Sequence, residues 1–400
     1  MSNTITKNPL AFLDQELDAM KAQGTYRPLR VLENEPAAKC DFDGKVVINL
    51  SSNNYLGFAT HPKLRNAALK AVEKYGAGSG AVRTISGTMR MHMDLEKKIA
   101  KFKHTEAALI FQSGFTSNAG AVSSILGKED VILSDELNHA SIIDGSRLSK
   151  AAIKVFPHKD MVALEKLLKE NQGARRILVI TDGVFSMDGD VANLPELVEI
   201  SEKYGAIIMV DDAHSSGVLG KNGRGTVDHF NLHGRVHIQV GTLSKALGCL
   251  GGYVAGPQSL IDFLVRRARP FLFSTSHPPA VTAAADAAFD LLLEEPQIIE
   301  KLHENAATLK AGLKRLGFNT GFDNELTPIT PVIVGEGALA MKFSDRLFEE
   351  GVFACGIGFP TVAHEKSRVR TQVMATHTRE DLDFALQVFE KVGKELGIIE

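Results

Sequence analysis

At 400 residues the chain is longer than a single hydrophobic core usually grows, so a large domain with a smaller partner domain is expected. Its 45 basic and 48 acidic residues are mixed along the sequence for a net charge of -3, which leaves no domain-wide positive field to hold nucleic acid or anionic lipid and favours a small-molecule substrate. Cys40, Cys249 and Cys355 form no CxxC pair, which argues against a disulfide framework or a thiolate metal site and fits a reducing, cytoplasmic setting.

Residues 1–23 contain no apolar core of signal-peptide length, and no apolar run approaches the roughly 20 residues that span a bilayer. Residues 12–20 predict an amphipathic helix, and 45–50 (KVVINL) a strand after a turn at Asp43 and Gly44. Short apolar runs at 107–111, 131–133, 153–156, 177–181, 207–211 and 236–240 then alternate with helix-length segments. That alternation predicts an α/β domain with a mostly parallel central sheet and helices on both faces. From about Phe273 the pattern is helical through Leu316, followed by strand-like pieces at 331–334 and 369–373. Thr378, with Glu380 and Asp381 behind it, caps a final helix whose Leu382, Leu386, Phe389, Val392 and Leu396 recur at helical spacing. The division expected is 1–50 as an N-terminal helix and strand, 51–275 as the large domain, and 276–400 as a long helical connection with a smaller α+β domain. The N-terminal helix is expected to join that smaller domain.

In sheets of this kind ligands bind at the carboxyl ends of the strands, so the polar residues after each apolar run are the ones to collect. They are Ser113 and Gly114, then 135–139, 182–186, 211–214 and 242–245. Asp211 ends a β-branched strand, where an unpartnered acid costs several kcal/mol, roughly, and a protonated pyridine nitrogen would serve as partner; capping the next helix is the ordinary alternative. Lys245 follows a strand on a turn with Gly241, Thr242, Ser244 and Gly248, a setting for a lysine of lowered pKa that forms a Schiff base, although most lysines are solvated surface residues. His139 could stack on an aromatic ring, Gly114 lets backbone approach a phosphate at a helix start, and Phe115 adds an aromatic edge. His229, His233 and His237 stand four apart like helix-borne metal ligands, but Gly234 interrupts them, so no metal is expected. Gly76, Gly78 and Gly80 lack GxGxxG spacing and predict a tight turn.

The stretches NNYLG (53–57), RTISGT (83–88), DELNHASIIDG (135–145), TDGVFSMDG (181–189), VDDAH (210–214) and GTLSKALG (241–248) together resemble the α-oxoamine synthase family of fold-type I pyridoxal-phosphate (PLP) transferases. The resemblance covers nearly the whole chain. It implies Lys245 as the Schiff-base lysine, Asp211 as partner of the pyridinium and His139 as the stacking residue, with His214 and Ser186 on the phenolic oxygen side. Gly114, Phe115 and Thr242 would hold the phosphate, completed by Ser274 and Thr275 from a neighbouring subunit of a homodimer, while Asn53 and Arg370 would hold the amino-acid substrate. Within the family the motifs look nearest to the glycine C-acetyltransferases, which join glycine and acetyl-CoA or act in reverse in threonine catabolism. 8-Amino-7-oxononanoate synthase, using alanine and pimeloyl-CoA, is the alternative, with a catalytically silent subunit of the same fold more remote. In the succinyl-using relatives the turn matching 81–87 offers a threonine and an asparagine, whereas Val82 and Thr84 stand here, which supports the acetyl reading.

Overall fold

Runs of Val, Ile and Leu bounded by polar residues become strands because β-branched side chains pack well on a pleated surface. The computed structural model describes residues 8–24, 26–321 and 327–400, so the first seven residues of the segment searched for a leader lie outside it. The strands are β1 (Lys39–Phe42), β2 (Lys45–Asn49), β3 (Ala107–Phe111), β4 (Val131–Asp135), β5 (Ala152–Phe156), β6 (Ile177–Asp182), β7 (Ile207–Asp211), β8 (Ile238–Thr242), β9 (Gly252–Gly256), β10 (Ile329–Gly335), β11 (Val352–Phe353), β12 (Cys355–Ile357) and β13 (Ser367–Gln372).

Seven strands form the central sheet in the order β3-β9-β8-β7-β6-β4-β5. The pairs β5/β4, β4/β6, β6/β7 and β7/β8 are parallel. β9 runs against both β8 and β3, and two reversals bring β3 back to the common direction. Six strands therefore end at one edge, the edge where ligands bind in such sheets. Alternate residues serve opposite faces: Leu178, Ile180 and Met209 enter one apolar core, while Val179, Ile208 and Val210 enter another. Helices cover both faces, as the alternating pattern predicts.

β9 was not legible in the sequence because three of the six residues from Gly251 to Gly256 are glycine, which masks the apolar period. The glycines have a reason. A Cβ on Gly252 would lie 2.5 Å from the backbone nitrogen of Gly114, so the strand is stripped to let a helix start approach it.

β1 and β2 form a hairpin through Asp43 (φ 54°) and Gly44 (φ 77°), the Asp-Gly pair that suits a tight hairpin turn. β2 then pairs in parallel with β11, Ile48 opposite Val352, so the N-terminal segment closes on the C-terminal part of the chain through strands. The predicted N-terminal helix exists, as Ala11–Ala22, but none of its residues is buried, so it does not pack into that part as expected. The long helical stretch is two helices, Pro279–Glu294 and Gln297–Arg315, broken at Glu295 and Pro296. Thr378 caps Arg379–Glu395 as predicted, its hydroxyl accepting from Asp381 N at 3.1 Å while Asp381 accepts from Thr378 N at 3.0 Å. Among the described residues no helix is long and apolar enough to cross a membrane.

Candidate active site

After β3 the chain turns into the helix Gly114–Ile125, capped by Ser113, whose hydroxyl accepts from Thr116 N at 3.1 Å. The first backbone N–H groups of such a helix have no partner within it and favour an anion. Gly114 faces Thr242 at the end of β8 so closely that a Cβ would stand 3.3 Å from the Thr242 Cβ, which keeps the cradle open. The Thr242 hydroxyl bonds Gly251 O at 2.9 Å and Ser244 Oγ at 2.7 Å, fixing the turn that presents Lys245. Phe115 is exposed beside it.

Asp182 and Asp211 lie opposite each other at the ends of β6 and β7. Two buried carboxylates so placed do not both ionise. Burial, and then the charge of Asp211, raise Asp182 well above the usual carboxylate range, and Asp182 accepts a hydrogen bond from His139 N at 2.9 Å. Asp211 accepts from Asn118 Nδ2 at 2.6 Å and from Ala213 N at 2.8 Å. Asn118 also donates to Ser141 Oγ, which meets His139 Nδ1 at 2.7 Å, so the imidazole is anchored at one nitrogen while its ring is left exposed. Burial lowers the His139 pKa, Lys245 lowers it further, and Asp211 opposes both.

Lys245 is half-buried, and its pKa falls to about 8 because burial and Arg370 outweigh the opposing charges of Asp211 and Asp182. A lysine so lowered is nucleophilic near neutral pH. His214, three residues beyond Asp211, is buried and pushed well below the usual histidine range by burial and by the charges of Lys245 and Arg370. Its Nδ1 lies 2.7 Å from the Tyr55 hydroxyl. Arg370, on β13, donates to the Ser186 carbonyl at 2.9 Å and to Gln372 Oε1 at 3.2 Å, and its Nε is buried without a partner. Such an orphaned donor suits an anionic oxygen. Asn53 Oδ1 accepts from Gln372 Nε2 at 2.7 Å.

The structure thus brings together Gly114, Phe115, His139, Asp211, His214, Thr242 and Lys245 at one sheet edge, with Asn53, Ser186 and Arg370 closing over it. Ser274 is half-buried; Thr275 is exposed, pairs by backbone with Val82, and accepts from Gln112 Nε2 at 2.8 Å through its carbonyl. Asn118, Asp182, Tyr55 and Gln372 were given no role from sequence. Asp182 stood in a collected cluster, and Tyr55 within NNYLG, but nothing local in the sequence marks Asn118 or Gln372. The histidines spaced four apart do not assemble: His237 accepts from Ile208 N, while His233 bonds Asp228 Oδ1 at 2.9 Å and lies beside His104. Gly76, Gly78 and Gly80 sit in open space in an irregular segment, Gly76 and Gly80 with positive φ, and no hydrogen-bonded turn forms there.

A carboxylate held ready at a strand end, a lysine of lowered pKa and a helix start stripped for an anion are the donor set that PLP requires, and these residues fit it. The sequence profile of the class I and II aminotransferases matches residues 45–389. The 8-amino-7-oxononanoate synthase of Symbiobacterium thermophilum is 60% identical over 97% of this chain and 99% of its own, and that of Thermoanaerobacter pseudethanolicus 58% identical over 98% of both. Serine palmitoyltransferase from S. paucimobilis, solved with bound PLP and myriocin, superposes with a TM-score of 0.93 at 31% identity, covering 98% of this chain and 100% of that one. These relatives overturn the glycine C-acetyltransferase assignment, and with it glycine, acetyl-CoA and threonine catabolism. The physical reason is that the motifs build the shared cofactor bed. Val82 and Thr84 spoke only against a succinyl group, and Thr84 and Ile85 are exposed rather than lining a closed acyl pocket. The silent-subunit alternative falls too, since the chain is a PLP-dependent acyltransferase-type enzyme. The chain belongs to the class I and II aminotransferase family of fold-type I PLP enzymes, in its α-oxoamine synthase branch.

Proposed function

We propose that the chain condenses alanine with pimeloyl-CoA to 8-amino-7-oxononanoate. The observation that carries this reading is identity of 58 to 60% with 8-amino-7-oxononanoate synthases over 97 to 98% of the chain. When bound, PLP engages the substrate amino group and draws electrons from the adjacent carbon. Gly114, Phe115 and Thr242 would hold its phosphate, joined by Ser274 of the partner subunit and Thr275 of the partner subunit. His139 would offer its exposed ring as a face, Asp211 would partner the ring nitrogen, and His214 and Ser186 would serve the phenolic oxygen side.

Arg370 takes the alanine carboxylate through donors that include its unpartnered Nε, with Asn53 beside it. Lys245, deprotonated readily at a pKa of about 8, removes the proton from Cα. The new bond joins Cα to the acyl carbon as the thioester C–S bond breaks and CoA leaves, taking a proton as the thiol; the bond from Cα to the carboxyl carbon then breaks to release carbon dioxide, and a proton replaces it at Cα. A homodimer is supported by the N-terminal helix, where Phe12, Leu13, Leu17 and Met20 are exposed and no residue is buried within its own chain. The unpaired cysteines support a cytoplasmic setting.

A CoA-release assay crossing alanine, glycine and serine with pimeloyl-, acetyl-, succinyl- and palmitoyl-CoA tests this. Alanine with pimeloyl-CoA is expected to give the highest kcat/KM. A higher value for any other pair overturns the assignment.

A further inference from the structure

Between Arg370 and His214 runs a chain of hydrogen bonds whose direction can be worked out bond by bond. Arg370 donates from Nη2 to Gln372 Oε1 at 3.2 Å, and a guanidinium has donors only and does not lose its charge. That contact fixes which way round the Gln372 amide stands. Its Nε2 therefore spends its two hydrogens on Asn53 Oδ1 at 2.7 Å and on the Tyr55 oxygen at 2.9 Å. A phenol has one hydrogen, and Tyr55, having accepted from Gln372, has His214 Nδ1 at 2.7 Å to receive it. A ring nitrogen that accepts carries no proton.

Tyr55 and Gln372 are fully buried, so water offers no alternative partner. Turning the amide over would reverse every bond and set the Arg370 N–H groups against the Gln372 NH2, a buried clash of donors. The doubly protonated form of His214 is opposed by burial and by the charges of Lys245 and Arg370.

We propose that Gln372 and Tyr55 are positioning residues: a one-way hydrogen-bond relay from Arg370 holds the proton of His214 on Nε2, so that this histidine meets the site as a donor. The use of that donor toward the phenolic oxygen rests on the proposed function, whereas the tautomer does not depend on which amino acid or thioester is used. Failure of one is therefore distinguishable from failure of the other.

The test is a long-range proton–nitrogen correlation spectrum of the PLP-loaded protein labelled with nitrogen-15 at histidine, with His214 identified by its loss in His214→Asn. The wild-type protein is expected to show Nε2 protonated and Nδ1 bare, without any substrate. Gln372→Glu keeps an acceptor for Arg370 but turns an acceptor toward Tyr55, so the tyrosine hydroxyl swings to the carboxylate and the His214 proton is expected to move to Nδ1. Gln372→Leu should leave a mixture of the two forms. A wild-type spectrum with Nδ1 protonated, or mixed, overturns the relay even if a variant does not fold. An unchanged Nε2–H in a folded Gln372→Glu overturns the role of Gln372.

Discussion

The strand-end half of the site and the half around Arg370 are built in opposite ways. Asp182, Asp211 and Thr242 are each the last residue of a strand in one sheet, and His139 and Lys245 follow within a few residues of β4 and β8, so their positions come from local geometry repeated strand by strand. Asn53, Tyr55, Arg370 and Gln372 instead meet across more than 300 residues of sequence, Gln372 bonding Asn53 and Tyr55 at separations of 319 and 317. The irregular segment after β2 and the strand β13 must dock before that half exists. The strand-end half is proposed to hold the cofactor, and the docked half the amino acid.

Breaking each half separately should give different kinetic signatures. Asp211→Asn is expected to have the largest effect, a fall in kcat of about a hundredfold or more with little change in KM, because a neutral amide gives up the charge that favours a protonated ring nitrogen. The amide oxygen can keep the bond from Ala213 N, and its NH2 group then faces Asn118, whose otherwise unpartnered Oδ1 can turn to accept from it, so the fold should hold. Exchange of the alanine α-proton for deuterium measures the step directly, and unchanged exchange would refute the role. Arg370→Lys comes next, raising the KM for alanine by about tenfold or more, since a point charge cannot reproduce a planar two-bond grip on a carboxylate. An unchanged KM would place the carboxylate elsewhere.

The smallest effect lies outside both halves. His158 stands between Asp135 and Asp190, 2.9 Å from each, and packs edge-on against Phe185. Burial would lower its pKa, but the bonds and charges of the two aspartates outweigh it and lift the value to about 9. Because the folded pKa lies above the unfolded value of roughly 6.5, the stabilisation is complete below that pH and is lost as pH rises through about 9. The melting temperature should therefore fall between pH 7 and 10, and His158→Gln should flatten that segment of the profile. A wild-type decline that persists unaltered in the variant would assign it to other groups.

The same contrast explains what the sequence made legible. The strand ends follow from apolar runs and one topological rule, so the ligand-binding edge and the candidates on it could be collected before any coordinates. β9 escaped because its glycines serve close packing against Gly114 rather than strand propensity. Asn118 lies on the buried face of a helix, where its only visible feature was a polar residue among small ones. Gln372 occupies an inward position on β13, and its role appears only once the segment from Asn53 to Tyr55 is docked against it. Acyl preference was misread for a related reason: selection among chains differing by methylenes amounts to about 1 to 3 kcal/mol each, and no motif encodes it.

The proposed chemistry depends on Lys245 being the residue that carries the cofactor. Borohydride reduction of the yellow purified protein, followed by proteolysis and mass mapping of the pyridoxyl tag, tests this most directly. The tag is expected on the peptide containing Lys245 alone, with the colour lost on reduction. A tag on any other lysine, or a colourless protein that acquires none after incubation with PLP, would contradict the account.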